Sequence, residues 1–112
     1  LTLTETGGTS PFMPAFLIAD VDVKDPDSYR AYREANPDVV RHFGGRYIAL
    51  GGETRVLEGD WVPHRTIIIE FPDMETLSRF YDSPEYEKLK PIRWRSADSR
   101  LLAMETLEEP ID

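Results

Sequence analysis

The chain has 112 residues, a net charge of −8 and no cysteine. That length supports one core without staples but not two independent ones, and the missing thiols remove disulfides, thiolate metal sites and cysteine nucleophiles. The negative balance opposes phosphate backbones and anionic bilayers, and no run reaches the roughly 20 apolar residues of a membrane span, so neither nucleic acid nor a membrane is an expected partner and a cytoplasmic location is anticipated.

Residues 1–12, LTLTETGGTSPF, are polar and aperiodic; they read as an N-terminal extension or an expression remnant ahead of a single domain over 13–108, with an acidic tail at 109–112. A first strand is expected over 15–23. Its alternation places Leu17, Ala19, Val21 and Val23 on one face and Phe16, Ile18, Asp20 and Asp22 on the other. Both faces begin apolar, so both need a cover.

A helix follows, with Asp25 as its N-cap, Pro26 in the first turn, and Tyr29, Tyr32, Val39, Val40 and Phe43 at helical spacing. Pro37 removes an amide donor and crowds the preceding turn, which predicts a kink or two abutting helices. Gly44 and Gly45 end the helix. RYIAL is a short strand, Gly51-Gly52 a bend, and residues 53–59 an extension reaching away from the sheet towards a hairpin tip at LEGDWVPHR.

RTIIIEF has the composition of a central strand, ended by Pro72. Asp73 caps a helix that turns Leu77, Phe80 and Tyr81 inward, and Ser83-Pro84-Glu85 starts another through Tyr86 and Leu89, which Pro91 should bend or end. RLLAMETL is the last strand. The order β-α-β-β-α-β is the split βαβ arrangement, an α+β ferredoxin-like fold with a four-stranded antiparallel sheet ordered 4-1-3-2 and helices on one face. The other face, carrying Phe16, Ile18 and alternate isoleucines of TIIIEF, is a patch of the kind that marks a contact site, and a two-fold packing of two sheets would bury it.

The segments MPAFLIADVDVKDPDSYRAY, FGGRYIALGG, VLEGDWVPHRTIIIEFP and YDSPEYEKLKPIRWRSADSRLLAMETL resemble the bacterial family called domain of unknown function 1330, within the dimeric α+β barrel superfamily. The resemblance spans about Met13 to Leu107 and implies a homodimer with facing sheets. It implies no single activity, since the superfamily holds cofactor-free monooxygenases, isomerases, haem-handling enzymes and ligand sensors.

In this topology the end of strand one, the turn before strand three and the start of strand four share an edge, gathering Asp20, Asp22, Asp60, Trp61, His64, Arg65, Ser99 and Arg100. Asp20, on the face turned to the dimer interior, would have a raised pKa unless Arg46, Arg65 or Arg100 pairs with it, and then serves as a general base or substrate anchor; the competing reading is a structural ion pair. His64 is an auxiliary acid or an exposed turn histidine. Trp61 is a pocket wall or a lock on the partner subunit. Arg46, Arg65 and Arg100 are candidate anion clamps. Tyr47, Tyr81 and Tyr86 read as core aromatics with hydroxyls at the rim, and the basic stretch KLKPIRWRSADSR as a helix balancing an acidic surface or binding a carboxylate.

Two distant histidines provide no metal site, and neither a phosphate loop nor a nucleophile elbow is present, so no cofactor is expected. The readings that follow are a homodimer with a small-molecule pocket in each subunit, between the sheet and the dimer cover, doing cofactor-free acid–base or oxygenase-type chemistry on a small organic acid or aromatic; a non-catalytic ligand-binding or stress-associated module; or a purely structural dimer.

Overall fold

The computed structural model describes residues 13–107; the extension at 1–12 and the tail at 109–112 lie outside the described residues. Four strands, β1 (Ala15–Val23), β2 (Arg46–Leu50), β3 (Thr66–Phe71) and β4 (Ala97–Glu105), form one sheet ordered β2-β3-β1-β4. Every neighbouring pair is antiparallel. Helix α1 (Pro26–His42) crosses from β1 to β2, and α2 (Met74–Tyr81), α3 (Pro84–Glu87) and α4 (Lys90–Ser96) cross from β3 to β4. This is the expected α+β ferredoxin-like arrangement, with the expected strand order.

The helix starts follow the local chemistry. Asp25 accepts hydrogen bonds from the Ser28 amide at 3.3 Å and the Ser28 hydroxyl at 2.7 Å, and Asp73 accepts from the Thr76 amide at 2.7 Å, each satisfying a donor that the first turn leaves free. Ser83 does the same for α3: its Oγ accepts from the Tyr86 amide at 3.1 Å and donates to the Phe80 carbonyl at 2.8 Å. One core results, built from the inward side of β1 and β3 with Tyr29, Tyr32, Val40, Leu77, Phe80 and Tyr86 of the helices.

Two proline expectations are corrected. Pro37 does not divide the first helix, which runs unbroken from Pro26 to His42. Tyr29, Tyr32, Asn36 and Val40 are buried on one stripe spanning both sides of the proline, so packing of that face outweighs the single lost backbone bond. Pro91 starts a helix rather than ending one: α3 has finished at Glu87, and Pro91 stands in the first turn of α4, where its missing amide has no intrahelical partner to lose.

The region between β2 and β3 also departs from expectation. Residues 51–65 hold no strand, so the connection is irregular and not a ladder-paired hairpin, with residues 52–62 all exposed. The last strand begins at Ala97, three positions before Arg100, which adds Asp98 and Ser99 to the register with Asp22 and Val21.

Gly45 shows how tightly α1 meets the sheet. A Cβ there would lie 2.7 Å from Phe71 Cε1 and 2.9 Å from Val40 Cγ1, inside any normal contact, and both neighbours are fixed core atoms. Gly45→Ala is therefore expected to destabilise the fold by about 1–3 kcal/mol, measured as a lowered midpoint in urea; an unchanged midpoint would mean that the α1–β2 junction yields freely.

Candidate functional site

Alternation along the strands gives the sheet two unlike sides. On the helix side Leu17, Ala19, Val21, Ile67, Ile69 and Phe71 are buried. On the open side Phe16, Ile18 and Ile68 are half-buried, while Leu102 and Met104 stay 57% and 50% exposed. Each side carries a recess.

The recess on the open side lies at the predicted edge. It is a cleft of about 290 Å³ that brings together Asp20, Trp61, His64 and Arg100, with Asp22, Asp98 and Ser99 beside them. Trp61 is exposed there. His64 places Nδ1 3.7 Å from Asp20 and Nε2 3.5 Å from Asp22, long for hydrogen bonds. Asp20 is held instead by backbone: one oxygen accepts from the His64 amide at 2.8 Å and the Arg65 amide at 3.0 Å. Burial works to raise its pKa, but the two amide bonds and the nearby imidazole outweigh that and leave it below the usual carboxylate value. A carboxylate so held is a weak base and a strong tether for the end of the 51–65 segment.

The other sequence candidates lie elsewhere. Arg46 bonds Glu70 through Nε at 2.8 Å, at the opposite end of β3 from Thr66, the partner of Asp20. Asp60 is exposed in the segment before Trp61. Arg65 leaves the edge altogether: its side chain folds across Gly51, whose Cβ position is 2.5 Å from Arg65 Nε, and reaches the helix side. Gly51 has φ +61, so both the backbone and the crossing side chain require glycine there.

The recess on the helix side is more enclosed than the cleft and has a volume of about 290 Å³. Its walls are apolar residues of β1 and β3 together with the rings of Tyr29, Tyr32, Tyr47 and Tyr86. Its polar atoms come from α1, β2, α3 and α4, with Arg65 from the segment before β3. The hydroxyls of Tyr32 and Tyr86 lie 2.6 Å apart. Asn36 Nδ2 donates to the Tyr47 hydroxyl at 3.0 Å, and Arg93 Nη1 donates to Ser99 Oγ at 2.6 Å.

Burial raises the pKa of Tyr32 far above the phenol value, with the Tyr86 hydroxyl adding to it, and pushes Tyr47 up to about 12 against the opposing bond from Asn36. Both are neutral donors at pH 7. The Arg93 pKa is raised: burial opposes the cation, and the Tyr86 and Tyr32 phenols beside it favour it.

Charge and hydrogen bonding do not close within this cavity. Arg33, Arg65 and Arg93 line it, and no Asp or Glu among the described residues does. Arg93 is 3% exposed, yet its Nε has no partner; Asn36 is 5% exposed, and its Oδ1 has none either; Arg65 Nε is also unpartnered. Lys90, three residues before Arg93 on the same short helix, shows the ordinary solution for a buried cation. Its Nζ bonds Glu87 at 2.9 Å and lies 3.6 Å from the centre of the Tyr81 ring. Buried polar groups are nearly always paired, so three unpaired atoms, each shielded within a residue of the cavity wall, set this region apart from the rest of the core.

Sequence reasoning passed over Tyr32, Asn36 and Tyr86 as framework, and considered Arg93 only within the basic stretch KLKPIRWRSADSR, read as balancing an acidic surface or binding a carboxylate. The signal available was the placement of polar-tipped residues, Tyr29, Tyr32 and Asn36, on the buried stripe of α1, where Leu or Val would serve a plain core.

The depressed pKa of Asp20 has a definite pH consequence. Its ionised form is favoured in the fold, so its contribution is present above the unfolded value of about 3.9 and is lost as pH falls through the lower folded value. Asp20→Asn should lower the urea midpoint at pH 7, and the gap to the unsubstituted protein should close in acid. A gap independent of pH would mean that the carboxylate charge contributes nothing.

Residues 14–107 match the family model described as Domain of unknown function (DUF1330). No curated protein matches the chain. Among solved structures, a protein of unknown function from Rhodopseudomonas palustris is 22% identical, with TM-score 0.69 over 87% of this chain and 85% of that one. A dimeric ferredoxin-like protein of unknown function from Thermobifida fusca is 14% identical, with TM-score 0.61 over 92% and 100%. A conserved protein from Bacteroides thetaiotaomicron, described as a possible oxidoreductase, is 17% identical, with TM-score 0.54 over 87% and 100%. At these identities the structures share the fold. The family match, covering the whole of the described sheet and its helices, is the more specific finding: the chain belongs to the DUF1330 family.

Proposed function

We propose that the chain binds a small organic anion in the helix-side cavity. The observation that carries this reading is a cavity lined by three arginines, the buried Arg93 among them, and by no carboxylate of the described residues. A buried charge without a counter-ion is costly, and in a chain of net charge −8 acidic residues were plentiful enough to supply one. A carboxylate ligand would pair with the positive charge of the arginines that line the cavity and gain charge-assisted hydrogen bonds away from bulk water. The apolar and aromatic walls take its hydrocarbon body.

The cavity supplies neutral phenols and cations, which stabilise an anion, and among the described residues no carboxylate base lines it. This favours ligand binding over general-base catalysis there; if the ligand turns over, the same donors would stabilise an enolate or phenolate. A catalytic edge cleft, with Asp20 as base, His64 as acid, Arg100 as clamp and Trp61 as wall, has less support, because the two backbone amides make Asp20 a weak base.

Saturation-transfer NMR with benzoate and uncharged benzamide tests the binding reading. Benzoate should give a signal and benzamide little; Arg93→Met should weaken benzoate about 10- to 100-fold, as loss of a charged hydrogen bond predicts. Arg65→Met, at a position only half-buried, checks the same point with less disturbance of the core. Binding of neither compound, or equal benzoate affinity in both variants, would remove the reading.

We also propose that the open face of the sheet pairs with a second copy of the chain. Phe16, Ile18 and Ile68 lie in a row flanked by the exposed Leu102 and Met104, an apolar surface of the type that partners cover, and an isologous two-fold contact covers both copies at once. Light scattering on a sizing column should report a dimer, and Leu102→Arg should give a folded monomer. A monomeric unsubstituted protein would exclude the pairing.

A further inference from the structure

The helix-side cavity gathers more positive charge than one carboxylate balances. Arg33, Arg65 and Arg93 line it, and none of them forms an ion pair with an Asp or Glu of the described residues. All three guanidiniums act on the phenol of Tyr29, a buried residue of the same wall, and oppose the rise that burial causes in its pKa. They lie around one space, and a single negative charge placed there leaves an excess of cations.

Arg33 differs from the other arginines of α1. Arg30 is paired with Asp27 at 3.1 Å and Arg41 with Asp38, each three residues apart. The positions three and four away from Arg33 hold Tyr29, Arg30, Asn36 and Pro37, so its own helix offers it no carboxylate at the spacing where such pairs form. Tyr29, Asn36 and Pro37 line the cavity with it, which places Arg33 beside the face of α1 that borders the cavity.

Burial orders the cations along the cavity. Arg93, 3% exposed, marks the inner end; Arg65 is half-buried; Arg33 and Leu50 are the exposed members of the lining and mark the mouth. A ligand charged at one end meets only one of these positions, whereas acid groups at both ends of an apolar body meet the inner and the outer together. A volume of about 290 Å³ is at the lower limit of small-molecule pockets, about 300 to 1,000 Å³, and holds that body to a single ring or a short chain. We infer that the ligand is a compact dicarboxylate, its inner carboxylate taken by Arg93 and Arg65 and its outer one met at the mouth by Arg33.

This inference rests on the anion-binding reading, and one titration series separates the two. Calorimetry on the full chain at pH 7 compares benzoate, the three benzenedicarboxylate isomers, their monoamides, which keep the shape with one charge fewer, and phenyl phosphate, which puts two charges on one group. At least one dicarboxylate should bind about fivefold more tightly than benzoate, than its own monoamide and than phenyl phosphate, the upper end for an ion pair that solvent reaches. Arg33→Gln, at an exposed position, should abolish the advantage of that isomer over its monoamide. If benzoate binds but no dicarboxylate gains, if phenyl phosphate gains equally, or if the advantage survives Arg33→Gln, the two-ended assignment is wrong and anion binding stands. If none of these anions binds, anion binding itself fails.

Discussion

The register of β1 between β3 and β4 is the constraint on which the rest of the molecule depends. Both ladders run antiparallel without a shift, so each residue of β1 is committed to one side, and a slip by a single position would exchange the sides completely. Leu17, Ala19 and Val21 are thereby fixed under the helices, and Phe16, Ile18 and Asp20 on the open side. β3 repeats the division, with Ile67 and Ile69 buried and Ile68 turned the other way. Two distinct chemical environments follow from one strand pairing, a closed one rich in phenols and guanidinium and an open one rich in aliphatic side chains.

The closed environment is costly for the fold by itself. Arg93 is as buried as the core aliphatics, and it donates to a serine hydroxyl and lies beside two phenols. A lone ion moved into such surroundings loses hydration that neutral hydroxyls only partly replace. A leucine at the same place would pack without that loss. The proposed anion would supply the missing partner, in the way that binding and catalytic sites commonly spend stability that a plain core would keep.

Much of the fold could be read from residue order because its determinants are local. Asp25-Pro26, Asp73 and Ser83-Pro84 cap and start helices through atoms three residues away, and the period-two pattern of β1 needs no knowledge of its neighbours. The family resemblance was equally readable in segments spread over the chain. Pro37 and Pro91 misled for a common reason: the effect of a proline depends on where the helix around it begins and on what that helix packs against, and tertiary contact settles both. The edge cluster was partly legible from topology, which correctly drew Asp20, Trp61, His64 and Arg100 together. It could not show that Arg65 turns away from them, since that path depends on the left-handed Gly51 and the space above it. The helix-side cavity was hidden for a deeper reason. Tyr32, Asn36, Tyr86 and Arg93 are ordinary residues in their own segments, and only their shared burial makes their unmet hydrogen bonds visible.

Arg65 joins the two environments. Its amide is gripped by Asp20 on the open side, its carbonyl accepts from Val21 at 2.9 Å, and its guanidinium reaches the closed side. The residue acts as a pivot through the plane of the sheet. The same residue therefore ties the Asp20 edge to the wall of the cavity. By reciprocity of linkage, any free energy that one side transmits to the other must be returned in full. The open sheet and the closed cavity thus meet at a single residue.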